Sequence, residues 1–327
     1  MAVVLGGCMD RRTLLYNTLE GTNDRIPCAF WYHFGEQNKF GKAALKAHID
    51  FYDAFEPDLM KVMNEHPFKY KGSVSCSADF AKLEEASFDE IGYTDYIEEF
   101  KAVRKALPKD LPLLATIQGA MVSAYHATDI PGNFVNLNNK ISVAIRENPE
   151  AACHALEISA KAQAKLCEML LDVGCDGFFY AALGGEKTRF DDQTFEKYIK
   201  PYDAYVFDAI KAKGGIGFLH MCKPEVEVPR YQGIKADVIN WAVHDCPYKL
   251  TDGRDLFPGV TVFGGYDDRS GILVEGTKEE IIAEFHNIVD EAGKDKLIIG
   301  ADCTIPDNIE KWRLQTVFQE AHSYKIR

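Results

Sequence analysis

Three residues of metal-binding type stand at the ends of apolar, strand-like segments. His220 and Cys222 lie two residues apart in GFLHMC, and Cys303 ends the segment IIGADC. Side chains two apart on an extended strand point to the same side, so an imidazole and a thiolate can converge on one ion. These ligands suit zinc, and three protein ligands leave a fourth position open for chemistry. We therefore predict a catalytic zinc site at His220, Cys222 and Cys303.

The His-x-Cys pattern is weak when taken alone, because buried cysteines are common. The chain has nine cysteines, without the dense spacing of a disulfide-stabilised secreted domain. This indicates reduced thiols and a cytoplasmic protein. A structural zinc site would need a fourth protein ligand, such as His244 or Cys246, whereas a catalytic site would keep three. A zinc-stabilised binding or scaffolding protein is therefore the alternative to an enzyme.

Eight short apolar segments, each followed by a segment with helical spacing, are typical of repeated βα units. The predicted fold is a single (β/α)8 TIM barrel of the α/β class, over residues 25–327, preceded by an N-terminal segment with a short helix over 1–24. The strand ends that carry His220, Cys222 and Cys303 then share one rim, where the active sites of such barrels lie. The predicted strands are 27–34, 58–65, 113–120, 176–183, 216–222, 237–245, 260–266 and 297–303.

Helix ends and long connections complete this outline. A capping box at Thr277, Gly293 after the last turn, and Asn148 before Pro149 mark helix boundaries. Two stretches, 67–93 and 124–142, exceed a minimal βα unit, and we expect them to cover the pocket because they follow strand ends. Further helices are predicted over 40–55, 94–106, 149–174, 195–213 and 309–323.

Charge and hydropathy limit the partners. The formal net charge is −13 and the pI is about 5.2, which argues against nucleic acid and anionic membranes because both would be repelled. No apolar run approaches the roughly 18 residues of a membrane span, and no signal peptide is apparent. A small-molecule substrate is expected. The sequence does not decide the oligomeric state, with a homodimer as one candidate.

From Arg25 onward the chain resembles the uroporphyrinogen decarboxylase superfamily, in DRIPCAFW, FEKYIKPYDAYVFDAIKAKG, ADVINWAVHD, LTDGRDLFPGVTVFGGYD and GTKEEIIAEFHNIVDEAG. The resemblance implies a (β/α)8 barrel. Within the superfamily, His-x-Cys followed about 80 residues later by Cys is similar to the zinc-dependent, corrinoid-linked methyltransferases, whose zinc ligands would fall on His220, Cys222 and Cys303. The decarboxylases instead carry arginines after the first strand, where this chain reads WYHFGEQNKFG. That difference disfavours a porphyrinogen substrate.

The resemblance implies transfer of a methyl group between a small methylated substrate and cobalamin. Because no corrinoid-binding domain remains once the barrel is accounted for, the cobalamin is expected on a partner corrinoid protein. O-demethylation of a methoxylated aromatic is favoured. The alternatives are a methylcobamide:thiol methyltransferase of the coenzyme M type and a decarboxylase-like lyase.

Other residues at the predicted strand ends are expected to line the pocket. His33, Glu65 and His244 are candidate catalytic residues, and Glu65 or His244 is a candidate fourth zinc ligand or proton donor to a leaving alkoxide. Lys61 and Asp58 are predicted to form a buried ion pair. Aromatic side chains would favour an aromatic substrate. The predicted substrate-binding residues are Phe30, Trp31, Tyr32, Gln118, Tyr180 and Tyr266.

Overall fold

Short runs rich in apolar residues form the strands of the main sheet. A computed structural model describes residues 10–326. Seven of them make one curled parallel sheet in the order β1-β4-β5-β6-β7-β8-β9, and β2 with β3 forms a separate antiparallel pair. Each strand of the large sheet lies next to the preceding strand of that sheet. The strands are β1 (Met60–Val62), β2 (Tyr70–Lys71), β3 (Glu84–Glu85), β4 (Leu113–Gln118), β5 (Gly177–Ala182), β6 (Ile216–Met221), β7 (Val238–Trp241), β8 (Thr261–Tyr266) and β9 (Leu297–Ala301).

An extended segment around Cys28 joins the two edges of this sheet. The Ala29 amide donates to Ile299 O at 2.9 Å, and the Ile299 amide donates to Pro27 O at 2.9 Å. On the other side the Asp58 amide donates to Cys28 O at 3.2 Å, directly before β1. The predicted TIM-barrel fold is thus confirmed, although the first predicted strand is reduced to a single bridge.

Helices follow the strands and cover the outside of the sheet. The predicted helix over 195–213 is interrupted at Ile199, because Pro201 suits only the first turn of a new helix. Within residues 10–326, no helix combines the length and hydropathy needed to cross a bilayer. The helices are α1 (Arg11–Glu20), α2 (Gly41–Phe55), α3 (Phe88–Ile91), α4 (Tyr93–Ala106), α5 (Ala120–Thr128), α6 (Lys140–Glu147), α7 (Pro149–Asp172), α8 (Asp192–Tyr198), α9 (Lys200–Ala212), α10 (Leu250–Leu256), α11 (Gly271–Glu275), α12 (Lys278–Ala292) and α13 (Lys311–Ser323).

The amino-terminal face of the barrel is closed by α1. Arg11 pairs with Asp110 at 2.8 Å and Arg12 with Asp176 at 2.7 Å, which fixes the helix to the loops that enter β4 and β5. Leu15 of α1 is buried in the apolar cluster of the barrel interior. Residues 1–9 of the predicted N-terminal segment lie outside the described residues.

The register of the strands stacks the interior side chains in rows. Residues paired across a parallel sheet share a face, so each row points into the barrel. The metal-type residue His220 belongs to the row nearest the carboxyl ends of the strands. From the amino to the carboxyl ends, the rows are Lys61, Leu114, Gly177 and Ile216; Thr116, Phe179, Phe218 and Val238; and Gln118, Ala181, His220 and Asn240.

The two long insertions are anchored beside the rim. Tyr70 of the first donates to Ala155 O of α7 at 2.9 Å, and Lys140 of the second donates to Val74 O of the first at 3.0 Å. These bonds fix the insertions to α7 and to each other. The sequence analysis predicted that the insertions cover the pocket. These two bonds place them beside the rim but do not by themselves extend across the mouth.

Tight packing where the barrel closes gives a stability prediction. A Cβ on Gly300 would overlap the Phe263 ring and lie 2.7 Å from Ala29 O. We expect Gly300→Ala to lower the free energy of unfolding by about 1–3 kcal/mol through overpacking, measured by urea denaturation. The control is Gly35→Ala, whose Cβ would meet only the end of the Gln37 side chain, at 3.3 Å. Equal stability of both variants would contradict the packing argument.

Candidate metal centre

The barrel brings His220, Cys222 and Cys303 together at its carboxyl-terminal rim. Their ligand atoms all lie within 4.8 Å of one another, and His220 Nε2 is 3.4 Å from Cys303 Sγ. In a tetrahedral site with Zn–N near 2.0 Å and Zn–S near 2.3 Å, the edge between nitrogen and sulfur is about 3.5 Å. His220 is buried, whereas both cysteines are partly exposed. The donor set therefore fits zinc with one side open to the mouth.

Local backbone bonds hold each cysteine at the end of its strand. The Cys222 amide donates to Ala182 O at 3.0 Å, and Lys223 then adopts the left-handed conformation with φ 95°, which turns the chain away from the sheet. Such a conformation is costly for a residue with a side chain and is typical of functional turns. After Cys303, the Ile305 amide donates to Trp31 O at 3.2 Å. This bond ties the loop after β9 to the first barrel segment.

A buried asparagine that sequence reasoning missed orients the imidazole. Asn240 Nδ2 donates to Phe263 O at 2.9 Å and to Ala301 O at 3.1 Å, so Oδ1 must be the atom that lies 2.6 Å from His220 Nδ1. His220 therefore donates from Nδ1 and keeps the Nε2 lone pair for a metal. The signal for this role in the sequence was the position of Asn240, a polar residue within the apolar segment DVINWA.

The two cysteines of the cluster differ in the pKa of their thiols. A hydrogen bond from Cys222, assisted by the nearby His220, lowers the pKa of Cys303 well below its usual value although burial opposes this. The same bond, followed by burial, raises the pKa of Cys222. Cys303 is thus the readier thiolate, and metal binding would displace the proton from Cys222.

The three predicted catalytic residues lie in two histidine–carboxylate pairs. His33 Nδ1 lies 2.7 Å from Glu65 Oε1, and His244 Nδ1 lies 2.9 Å from Asp302 Oδ2. The hydrogen bond to Asp302 raises the pKa of His244, with burial opposing. Burial acts to raise the pKa of Glu65, but the hydrogen bond and the charge of His33 outweigh it, so the pKa is lowered. Among the described residues, neither Glu65 nor His244 belongs to the ligand cluster.

Two of the predicted substrate-binding residues face the interior. Trp31 is 5% exposed, and its ring centroid lies 4.6 Å from that of Phe179. Gln118 bonds the loop after β1 through the Phe68 amide at 3.3 Å and His66 O at 3.1 Å. Its amide is therefore occupied in positioning that loop.

The other four predicted substrate-binding residues pack toward helices. Neighbouring residues on a strand face opposite sides, so a residue next to an inward side chain points outward. This corrects the expectation for Phe30, Tyr180 and Tyr266, which are buried outside the barrel, while Tyr32 is half-buried against α2. The contacts are Phe30 with Phe318 (5.7 Å between centroids), Tyr32 with Phe51 (5.3 Å), Tyr180 Oη with Asp203 Oδ1 (2.5 Å) and Tyr266 Oη with Ile281 O (2.8 Å).

The predicted Lys61–Asp58 ion pair is wrong. Asp58 accepts from Arg25 Nη1 at 2.8 Å, on the outer side of the sheet. Lys61 instead points inward, with Nζ 4.7 Å from the Trp31 ring centroid and 4.5 Å from that of Phe179. Asp58 directly precedes β1, and Lys61 lies three residues later on that strand, so their side chains face opposite sides.

Asp268 is a second titratable residue near the site that sequence reasoning missed. It follows β8 in the segment YDDR and is 5% exposed. Burial, followed by the charge of Cys303, raises the pKa of Asp268 to about 7. Its carboxyl group therefore titrates near neutrality and interacts electrostatically with Cys303.

The sequence is similar to one known protein family. A family model described as uroporphyrinogen decarboxylase (URO-D) matches residues 63–324, a span that contains all three cluster residues. A search of curated proteins finds no significant sequence match. The sequence relationship is therefore seen at the level of the family.

One solved structure shares the fold at low sequence identity, and two others align with part of the chain. A methyltransferase from Methanosarcina mazei superposes with a TM-score of 0.75 at 13% identity, over 95% of this chain and 98% of that one. A B12-independent methionine synthase from Shewanella sp. W3-18-1 gives 0.48 at 14% identity, over 69% and 65% of the two chains. A putative vitamin-B12 independent methionine synthase from Listeria monocytogenes gives 0.47 at 15% identity, over 73% and 70%.

Removing the hydrogen bond between Asn240 and His220 is predicted to lower the metal affinity. Asn240→Leu removes the acceptor for His220 Nδ1, and outer contacts of this kind contribute about 10- to 100-fold to metal affinity. We expect a decrease of that size in zinc affinity, measured by competition with a chromophoric chelator. Asn287→Leu, at an exposed position of α12, is the control and should bind zinc like the wild type. Unchanged affinity in Asn240→Leu would contradict the orienting role.

The Asp302 contact predicts the titration of His244. We expect the imidazole of His244 to titrate above 6.5 and Asp302→Asn to lower its pKa, observed by NMR, because the carboxylate stabilises the charged ring. Since the folded-state pKa is raised, the pair stabilises the fold below the unfolded pKa, and this contribution is lost as pH rises through the folded value. Glu65→Gln should leave His244 unchanged. An equal shift in both variants would exclude a specific pair.

Proposed function

The chain belongs to the uroporphyrinogen decarboxylase family, and we propose that it is a zinc-dependent methyltransferase within that family. The methyl group passes between a small methylated substrate, preferably a methoxylated aromatic, and the cobalamin of a separate corrinoid protein. The observation that carries this proposal is the cluster of His220, Cys222 and Cys303, with its ligand atoms within 4.8 Å. The name methyltransferase borne by the similar Methanosarcina mazei structure agrees with this class of reaction.

The surroundings of the cluster favour a catalytic over a structural site. Cys246, a candidate fourth ligand, directs its sulfur to Tyr248 O at 3.7 Å, and His244 is engaged by Asp302. Among the described residues, the cluster therefore offers three ligands. When bound there, zinc supplies Lewis acidity at an open fourth position, where it polarises a sulfur or oxygen atom of the substrate.

The chain's own residues manage protons and exclude water. His244, held by Asp302, has a raised pKa and a side chain that is 41% exposed, so it can hold a proton and deliver it to the phenoxide that leaves when the methyl group of an aromatic ether is transferred. The rings of Trp31 and Phe179 form an apolar wall below the ligands, and the Phe179 ring stacks on His220 with 5.1 Å between centroids. An apolar, partly aromatic pocket suits an aromatic methyl ether.

The decarboxylase alternative lacks counter-charge. A porphyrinogen with four carboxylates needs several cations at the mouth, but the segment WYHFGEQNKFG after the first strand has no arginine. Its one lysine, Lys39, is paired with Glu36 at 2.6 Å. The charge pattern therefore favours a substrate with fewer negative groups.

Metal analysis tests the proposal first. We expect about one zinc per chain, as one tetrahedral site requires, and its loss in Cys222→Ala and Cys303→Ala. The control Cys246→Ala removes a partly exposed cysteine outside the cluster and should keep the metal. Elemental analysis of the purified proteins gives the answer.

The same proteins then enter a transfer assay. With a methoxylated aromatic and reduced free cobalamin as a stand-in for the corrinoid protein, the zinc-loaded wild type should form methylcobalamin, and Cys303→Ala should not. Methylation of an added thiol by methylcobalamin would assign the reverse direction. A zinc-free wild type that decarboxylates uroporphyrinogen would overturn the proposal.

A further inference from the structure

A buried cation without a counter-ion lies beneath the candidate metal centre. Lys61 is 5% exposed, and among residues 10–326 its ammonium has neither a carboxylate partner nor a hydrogen-bond acceptor. Nζ instead lies over the rings of Trp31 and Phe179, at 4.7 and 4.5 Å from their centroids. Burial lowers the pKa of Lys61 to about 8, with Cys303, Glu65 and Cys222 opposing.

A second donor without a partner belongs to the same cluster. Trp31 is also 5% exposed, and its Nε1 is a buried donor with no acceptor among the described residues. Buried polar groups are nearly always hydrogen-bonded, so an indole nitrogen without a partner requires an explanation. Two unsatisfied donors in contact with each other are therefore a candidate anion site.

The position of Lys61 in the barrel explains why its ammonium reaches the ring of Phe179, next to His220. Its Cα lies in the row of Leu114 and Gly177, two rows below His220. The long side chain spans the intervening layer and ends beside Phe179, the ring on which His220 stacks. Lys61 thus presents its charge to the underside of the ligand cluster without belonging to it.

Charge balance indicates what such a site would take. Two thiolates and a neutral imidazole carry −2, which a zinc ion would cancel, and Glu65 is paired with His33 at 2.7 Å. The ammonium of Lys61 then has no ion-pair partner of its own among the described residues, and it lies over two aromatic rings. An isolated buried charge is costly, so a ligand that brings one negative charge and two acceptor atoms is favoured.

We propose that Lys61 and Trp31 form an anion subsite that binds the carboxylate of a small aromatic acid, so that the substrate is the carboxylated form of an aromatic methyl ether. One carboxylate oxygen accepts from Lys61 Nζ and the other from Trp31 Nε1. This inference rests on the proposed function for the reaction. The binding subsite itself does not require that transfer occurs.

The test compares binding of charged and neutral probes to the zinc-loaded protein. We expect 4-methoxybenzoate to bind, and Lys61→Met to weaken its affinity about 10- to 100-fold, as for loss of a charge-assisted hydrogen bond. Trp31→Phe should weaken it about 2- to 10-fold, as for a neutral hydrogen bond. The uncharged 4-methoxybenzamide should bind wild type and Lys61→Met alike. Isothermal titration calorimetry gives these affinities without turnover.

Controls separate this subsite from other roles of Lys61. Lys46→Met removes an exposed lysine of α2 and should bind the benzoate like the wild type. Methionine replaces the buried charge by an apolar chain of similar length, so Lys61→Met should fold and retain zinc. If it loses zinc, Trp31→Phe decides the question.

Each outcome has a distinct meaning. Equal affinity of 4-methoxybenzoate for wild type, Lys61→Met and Trp31→Phe would overturn the subsite and leave the methyltransferase proposal untouched. Tight, Lys61-dependent binding of phenol without binding of the benzoate would also overturn it, because the anion would then be the substrate's own oxygen. Lys61-dependent binding of the benzoate by a protein that holds no zinc as purified, takes none up when it is added and transfers no methyl group would support the subsite and contradict the proposed function.

Discussion

The hydrogen bonds of the Asn240 side chain connect the elements that carry the metal-type residues. From β7 this one amide contacts His220 on β6, Phe263 O on β8 and Ala301 O on β9. Ala301 is two residues before Cys303, so the contact that orients the imidazole also fixes the strand that delivers the second sulfur. A fully satisfied buried network of this kind is rigid, and removing one member leaves the others unpaired.

Closure of the barrel is the second constraint on the site. Residues 83 apart in sequence, His220 and Cys303, come within 3.4 Å because β6 and β9 end at the same rim. The first barrel segment, although reduced to one bridge, is bonded to Ile299 and by Trp31 O to Ile305. The loop that carries Cys303 is therefore held on both sides, by Asn240 through Ala301 and by the first segment through Ile305.

Spacing along the chain, taken with the predicted barrel, was sufficient to predict that the three metal-type residues lie together. It was insufficient for the residues that support them. His220 and Cys222 are two apart on one strand, and Cys303 ends another, so period-2 geometry and the barrel rim placed them together. Asn240 could not be found in that way, because its role depends on the register that pairs it with His220. Strand parity would have excluded one of Phe30 and Trp31, which are adjacent, but which of the two faces inward depends on where the barrel closes.

Lys61 links the candidate metal centre to the proposed anion subsite. Without a metal, the charge of Cys303 opposes the lowering of the Lys61 pKa by burial more than that of Glu65 or Cys222 does. A divalent cation at the sulfurs would compensate that thiolate and leave the ammonium to a ligand. Metal occupancy and anion affinity should then favour each other, and such coupling is reciprocal by thermodynamic necessity. The ammonium of Lys61 is thus partly compensated by the thiolate in the metal-free protein, and it is best compensated by an anionic ligand once a metal is bound.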